Sequence, residues 1–298
     1  MDQTSKAIDS LAARRVRFKQ AVQERRGLLL PGVANALGAR IVEDLGFEAV
    51  YLTGAGLANT EFGVPDLGLV TMSEFAEATL RISDACTLPL VVDIDTGFGN
   101  ALNVTRTIRA IERAGAAAVQ IEDQVFPKKC GHFAGKGVIP VAEMVSKIKA
   151  AVDARTDANL LIIARTDARA VEGLDAALDR AHAMLEAGAD ILFVEAPTDR
   201  SEIEAIARLP APLLANIVFG GKTPMLSREE LAGLGYSLVL YANAALQATI
   251  RAVSSVLGHL RDHGDLAAIE DQLAGFDERQ RIVDKAHWDE IERRYAVK

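Results

Sequence analysis

Cysteine is scarce: Cys86 and Cys130 are the only two in 298 residues. Two thiols 44 positions apart form no disulfide framework and lack the clustered spacing of a zinc site. Each reads as a free thiol. Basic charge is in deficit, with 33 Lys and Arg against 41 Asp and Glu and a formal net charge of −8. A nucleic acid or an anionic membrane needs a basic face, so neither is expected as a partner. No apolar run reaches the ~18–20 residues that span a bilayer. The opening MDQTSKAIDSLAARRVRFKQ also lacks the apolar core of a signal peptide. A cytoplasmic location is the expectation. Low-complexity stretches and linkers are missing as well, and no GxGxxG opens the first β-rich run, which removes the dinucleotide fingerprint.

What is present is an ordinary globular mixture, 50% hydrophobic and 25% charged. Eight short β-rich runs recur along it: LLLPG from Leu28, AVYLTG from Ala49, LPLVVDIDTG from Leu88 and AAVQIED from Ala117. LLIIARTD from Leu160, DILFVEAP from Asp190, PLLANI from Pro212 and SLVLYAN from Ser237 complete the set. Between them lie stretches with apolar residues at helical spacing, such as LDAALDRAHAMLEAGA. Continuous apolar runs suit strands buried on both faces, and the helices supply the crossovers that parallel strands require. Eight such units predict a single (β/α)8 TIM barrel over residues 1–298, the alternative being an open α/β sheet of fewer strands. Residues 1–26 read as a charged helix before the first strand. Residues 244–298 exceed the one helix needed to close the barrel, and Ala245, Ile250, Val253, Val256, Leu257 and Leu260 give them an apolar face suited to another subunit.

In such barrels the reactive groups gather at the carboxyl ends of the strands. Those ends carry Thr53 with Gly54, Asp93 and Asp95, Glu122 and Asp123, Arg165 and Asp167, Glu195, Asn216, and Tyr241 with Asn243. Buried charges are costly unless paired, so this convergence points to a site. Asp93 and Asp95 stand two apart, which on a strand puts both carboxylates on one face. A hard cation such as Mg2+ would relieve their repulsion, with Glu122 one strand over; turn capping and pairing with Arg or Lys explain the pair equally well. Arg165 can fork two donors onto a carboxylate, either a substrate's or that of Glu195 or Asp167. The stretch FPKKCGHFAGKGVIP, residues 126–140, outlasts an ordinary connection and reads as a lid. Within it Lys128, Lys129 and His132 surround Cys130 with positive charge, a setting that favours a reactive thiol. FGGKTP, residues 219–224, offers glycine amides where some barrels hold phosphate. No Lys ends the sixth run and no Ser/His/Asp order is evident, which disfavours a Schiff-base aldolase and a serine hydrolase.

Taken together, YLTGAG, GVPDLG, DIDTGFGN, IEDQ, KKCGH, ARTDA and VEAP closely resemble the isocitrate lyase and phosphoenolpyruvate mutase superfamily, from about Pro31 to Tyr241. The resemblance implies a TIM barrel whose last helix is exchanged between subunits, usually in a homotetramer. It also implies Mg2+ as cofactor, with Mn2+ left open as a substitute, held by Asp93, Asp95 and Glu122. Thr53, Gly54, Ala55, Asp66, Gly131, Arg165, Glu195 and Asn216 would contact a small di- or tricarboxylate. Cys130, with Lys128 and His132, would form the catalytic group, the thiol acting as general acid. Tyr51 and a metal-bound water are both open as the base.

Departures from the family pattern select a branch. Phosphonate-forming mutases and phosphonopyruvate hydrolases usually carry Asn where this chain has Cys130, so the resemblance favours a carbon–carbon lyase. Methylisocitrate-specific members tend to have Arg, Glu and a further Arg where this chain has Phe133, Gly137 and Gln247. Two cationic anchors for a third carboxylate are thereby missing, and a dicarboxylate such as 2,3-dimethylmalate or a related 2-alkylmalate fits better than 2-methylisocitrate. Oxaloacetate hydrolysis, phosphonate chemistry and a non-catalytic ligand-binding barrel stand as alternatives. Thr53 in place of the common Ser and Asn35 in place of a frequent Asp are further departures.

Overall fold

The computed structural model describes residues 10–131 and 135–297. All eight β-rich runs form strands: β1 (Leu28–Val33), β2 (Val50–Leu52), β3 (Leu90–Asp93), β4 (Ala118–Glu122), β5 (Leu161–Thr166), β6 (Ile191–Val194), β7 (Leu214–Asn216) and β8 (Leu238–Tyr241). Each pairs in parallel with its neighbour in the order β6-β5-β4-β3-β2-β1-β8-β7. A single parallel bridge between Leu192 and Leu213 closes the ring into a (β/α)8 barrel. Every residue of β5 is buried, as a strand covered on both faces requires.

The strands alternate with helices α1 (Leu11–Gln23), α2 (Ala36–Asp44), α3 (Gly54–Glu61), α4 (Met72–Ala85), α5 (Ala101–Arg113), α6 (Val141–Ala154), α7 (Leu174–Glu186), α8 (Arg200–Ile206) and α9 (Arg228–Gly233). Beyond β8 come α10 (Ala244–His263), α11 (Phe276–Ile282) and α12 (Lys285–Tyr295). Local chemistry sets several helix starts. Thr71 with Glu74, and Ser227 with Glu230, form reciprocal capping boxes at the heads of α4 and α9, satisfying amides that have no partner within the helix.

Strand alternation divides the core into two shells. Val50, Leu52, Val92, Val119, Ile121, Ile162 and Leu192 face outward onto the helices. Leu30, Tyr51, Val91, Ile163, Phe193, Leu214 and Leu240 face inward and fill the barrel. Phe18 and Val22 of α1 join the inner cluster and close its amino-terminal end. Two buried arginines pin that plug. Arg14 donates to the carbonyls of Ser83 and Cys86, at 3.0 and 2.8 Å. Arg15 donates to the carbonyls of Ala116 and Glu112, at 2.9 and 2.7 Å, and to Asp157 at 3.1 Å. With one end sealed, only the carboxyl ends of the strands open to solvent.

The C-terminal segment behaves differently. None of α10, α11 and α12 has a buried residue. Ile250, Val253, Leu257 and Trp288 are all about half exposed or more. No helix among the described residues is long and apolar enough to cross a membrane. Phe18→Ala is expected to cost ~3–5 kcal/mol in urea unfolding, the range for emptying a buried aromatic site. Val16→Ala on the exposed side of α1 should stay within ~0.5 kcal/mol.

Candidate active site

The inward face of the barrel turns polar at the carboxyl ends of the strands. Tyr51, Asp93, Gln120, Arg165, Phe193, Glu195, Asn216, Leu240 and Ala242 line one cavity there. Thr53, Ala55, Asp66, Val218, Asn243 and the loop residues Lys128, Lys129, Cys130 and Gly131 complete it, around about 440 Å3 counted to the open mouth. Two of the polar strand ends lie elsewhere. Tyr241 packs on the outer shell. Asp123 also faces outward, accepting from Thr166 Oγ1 at 2.7 Å and pairing with Arg180 at 3.4 Å. Both fall one residue out of step with the inward set, as period-two alternation dictates.

Asp93 anchors one side. Its Oδ1 accepts from the Asp95 amide at 3.1 Å and from Gln120 Nε2 at 3.2 Å, while Oδ2 accepts from the Gly54 amide at 3.3 Å. The strand does not continue to Asp95: β3 ends at Asp93, and Asp95 adopts a left-handed φ of 47°. The turn, not the pleat, brings the second carboxylate round. A Cβ on Gly54 would lie 3.0 Å from Asp93 Oδ2 and 3.1 Å from Asp95 Oδ1, so glycine is needed for the two carboxylates to converge here. Thr53 caps α3 by accepting from the Gly56 amide at 3.3 Å.

Arg165 anchors the other side. Its guanidinium forks onto Asp167 at 2.9 and 3.1 Å, reaches Glu122 Oε2 at 3.1 Å and stands 3.8 Å from Glu195. It thus neutralises the strand-end acids as well as facing the cavity. Asn216 Nδ2 lies 3.5 Å from both Glu195 oxygens.

Two lysines of the loop after β4 reach into this acidic mouth. Lys128 pairs with Asp66 and, at 2.7 Å, with Asp95. Lys136 donates to the Gly131 carbonyl and, at 2.5 Å, to Asp167. Gln124 and Val138 bridge the base of the loop, and Gln124 clamps the Lys129 backbone through a 2.8 and a 2.9 Å hydrogen bond. Gly131 presses so close to Arg165 and Glu195 that a Cβ would meet them at 2.4 and 2.7 Å. Half-buried Cys130 is carried to the cavity wall. The lysines beside it direct their ammonium groups onto oxygens, Lys129 capping the Gly135 carbonyl at 2.9 Å. His132 and Phe133 lie outside the described residues. Gln247 donates to the Phe219 carbonyl at 3.1 Å.

The charges interact strongly. Burial pushes the Asp93 and Glu122 carboxyls above their usual range, and that of Asp95 up to about 7. Burial also works against Asp167, but Arg165 and Lys136 outweigh it and hold this carboxyl below the ordinary value. Lys128 is likewise kept cationic against its burial by Asp95 and Asp66. Among the buried atoms at the mouth, Glu122 Oε1, Asn216 Oδ1 and Asn243 Oδ1 have no hydrogen-bond partner among the described residues. Asp93, Asp95 and Glu122 do not stand together as three direct ligands: no group of three or more His, Cys, Asp or Glu among the described residues is placed to hold a metal ion. The donor set still suits a hard cation, since Asp93 and Asp95 converge and Glu122 keeps an unpartnered oxygen.

Sequence reasoning passed over Gln120 and Lys136. Gln120 was signalled by its place two residues before Glu122 on the same inward face. Lys136 carried no local signal, because its partner Asp167 lies 31 residues away.

A (β/α)8 barrel that gathers buried acids and cations at the carboxyl ends of its strands has the architecture of a barrel enzyme. The family model described as phosphoenolpyruvate phosphomutase matches residues 18–261. A 2-methylisocitrate lyase of Vibrio cholerae is 44% identical over 93% of this chain and 91% of its own. A 2,3-dimethylmalate lyase of Eubacterium barkeri is 41% identical over 94% and 98%. Among solved structures, an oxaloacetate acetylhydrolase with the inhibitor 3,3-difluorooxalacetate superposes with a TM-score of 0.91 at 30% identity, covering 97% of this chain and 99% of that one. A phosphonopyruvate hydrolase with oxalate and Mg2+ gives 0.86 at 30%, over 95% and 99%. The chain belongs to the PEP mutase/isocitrate lyase superfamily, and it is an enzyme of the carbon–carbon lyase type. Gly131→Ala is expected to leave the thermal midpoint within ~2 °C while lowering turnover ~10–100-fold, because the new methyl displaces the loop from Arg165. Melting curves and steady-state kinetics on the same preparation check both.

Proposed function

We propose that the chain is a Mg2+-dependent lyase that cleaves a 2-hydroxy dicarboxylate, 2,3-dimethylmalate or a related 2-alkylmalate, into a 2-oxo acid such as pyruvate and a second carboxylate. The observation that carries this reading is the meeting of the Cys130 thiol with Asp93 and Arg165 around one small cavity. When bound by Asp93 and Asp95, with Glu122 nearby, Mg2+ would supply positive charge to the substrate's oxygens. Arg165, ordered by Asp167, and Asn216 receive a carboxylate. Phe193, Val218, Leu240 and Ala242 give the same cavity an apolar wall for alkyl substituents.

Cleavage moves the C–C electron pair onto the carbon beside the departing carboxylate while the hydroxyl passes its proton to a general base and becomes the carbonyl. Cys130 gives its proton to that carbon, and the loop excludes competing water. His132 and Lys128 support the thiol and the loop, Lys128 through its pairing with Asp66 and Asp95. A second reading, hydrolysis of oxaloacetate to oxalate and acetate, draws support from the oxaloacetate acetylhydrolase likeness.

Incubation with Mg2+ and a panel of 2-alkylmalates, 2-methylisocitrate, oxaloacetate and phosphonopyruvate separates the readings by product. Pyruvate from an alkylmalate is expected, and oxalate from oxaloacetate alone would transfer the assignment to the hydrolase. Chelation should abolish turnover, and Cys130→Ser should lower it ~10²–10⁴-fold with folding intact. The exposed apolar residues of α10 further support a homotetramer built through the C-terminal segment. Sedimentation equilibrium is expected to give four chains for the full protein and a smaller species for an Ile250→Glu, Leu257→Glu double variant.

A further inference from the structure

Tyr51 and Gln120 form the floor of the cavity, and both are buried. The Tyr51 hydroxyl donates to Gln120 Oε1 at 2.5 Å, and Gln120 Nε2 donates to Asp93 Oδ1 at 3.2 Å. The direction of this chain is set from one end. Asp93 Oδ1 already accepts from the Asp95 amide and Oδ2 from the Gly54 amide, so both oxygens face donors, and the Gln120 amide turns its NH2 to Asp93 and its oxygen to Tyr51. That oxygen only accepts, which commits the phenol proton to it. Tyr51 is left with a lone pair to offer a ligand.

We propose that Gln120 is a positioning residue that makes Tyr51 an acceptor, so that the cavity reads the hydroxyl of a 2-hydroxy acid and disfavours the carbonyl of a 2-oxo acid. A hydroxyl can donate to Tyr51 Oη. A 2-oxo acid sets lone pair against lone pair in a buried site, where an unmatched polar contact is expensive. An amide oxygen is too weak a base to take the phenol proton, so Tyr51 orients the substrate hydroxyl and does not retain its proton. The arrangement also favours departure of the 2-oxo product. This inference rests on the reading that the cavity takes a 2-hydroxy dicarboxylate, and it adds the atom that recognises the hydroxyl.

Lactate and pyruvate, the smallest such pair, test it by calorimetric binding at constant magnesium chloride. In Gln120→Leu the phenol proton is freed to face the cavity, and the ratio of lactate to pyruvate affinity should fall about tenfold. Tyr51→Phe, nearly isosteric, should weaken lactate and spare pyruvate. An unmoved ratio in Gln120→Leu, equal losses of both ligands in Tyr51→Phe, or no binding of either ligand to the wild-type protein at tens of millimolar overturns the proposal. Because binding is the readout, a protein that shifts its ratio yet cleaves no 2-hydroxy dicarboxylate defeats only the functional reading. Cleavage with an unmoved ratio defeats only this inference.

Discussion

One guanidinium organises the mouth of this barrel. Arg165, at the end of β5, holds Asp167 with two hydrogen bonds, pairs with Glu122 from β4 and lies beside Glu195 past β6. Removing it would take the ion-pair partner from buried Glu122 and leave Asp167 to Lys136 alone, at a cost of several kcal/mol. Arginine suits the position because it cannot give up its proton and because its planar fork serves several acceptors at once. Its carbon lies 5.3 Å from the centre of the Phe193 ring, which supports the group from the barrel interior. A buried ion network of this kind is weak evidence for stability. An apolar filling would serve the fold as well, so its presence reflects use.

The ledger of charge around that guanidinium does not balance within the described residues. Asp66, Asp93, Asp95, Glu122, Asp167 and Glu195 face Arg165, Lys128 and Lys136. Six acids against three cations leave an excess of negative charge. Burial works against the charged forms of Asp93, Asp95 and Glu122, and a hard divalent cation would relieve the excess. Two of the three cations belong to the loop after β4, so the loop that brings Cys130 also delivers positive charge to both sides of the mouth. One segment thus carries both the thiol and the countercharge to the mouth.

Much of this was legible in the sequence because the barrel writes itself in a simple code. Eight apolar runs separated by helical spacing gave the strands in number and place, and the polar ends that face inward, Asn216 after Leu214 and Arg165 after Ile163, follow period-two alternation. The same rule, applied strictly, removes Asp123 and Tyr241 from the mouth. It failed at Asp95, where a left-handed residue ends the pleat and only the tertiary turn restores the convergence with Asp93. The partners of Lys128 and Lys136 were not legible at all, since each lysine reaches an acid in a distant segment and nothing local marks the pairing. The loop's positive charge was read as surrounding the thiol; in space Lys128 and Lys136 serve the carboxylates and Lys129 a loop carbonyl.

Overall likeness and local chemistry point in slightly different directions over the substrate. The Vibrio cholerae relative, 44% identical, is a 2-methylisocitrate lyase, whose name alone would suggest a tricarboxylate. A third carboxylate, however, needs a cation of its own when water is excluded. Arg165, Lys128 and Lys136 are each already engaged by protein carboxylates, and Lys129, which also lines the cavity, gives its ammonium to the Gly135 carbonyl. Gln247, at the head of α10, is neutral and turned to a backbone carbonyl. The apolar lining is Phe193, Val218, Leu240 and Ala242, which would receive a methyl group at little cost and a carboxylate at a large one. Identity measures ancestry over the whole chain, whereas discrimination between such substrates is decided by a handful of side chains at the mouth, and it is on those side chains that the proposal of a smaller, alkylated acid rests.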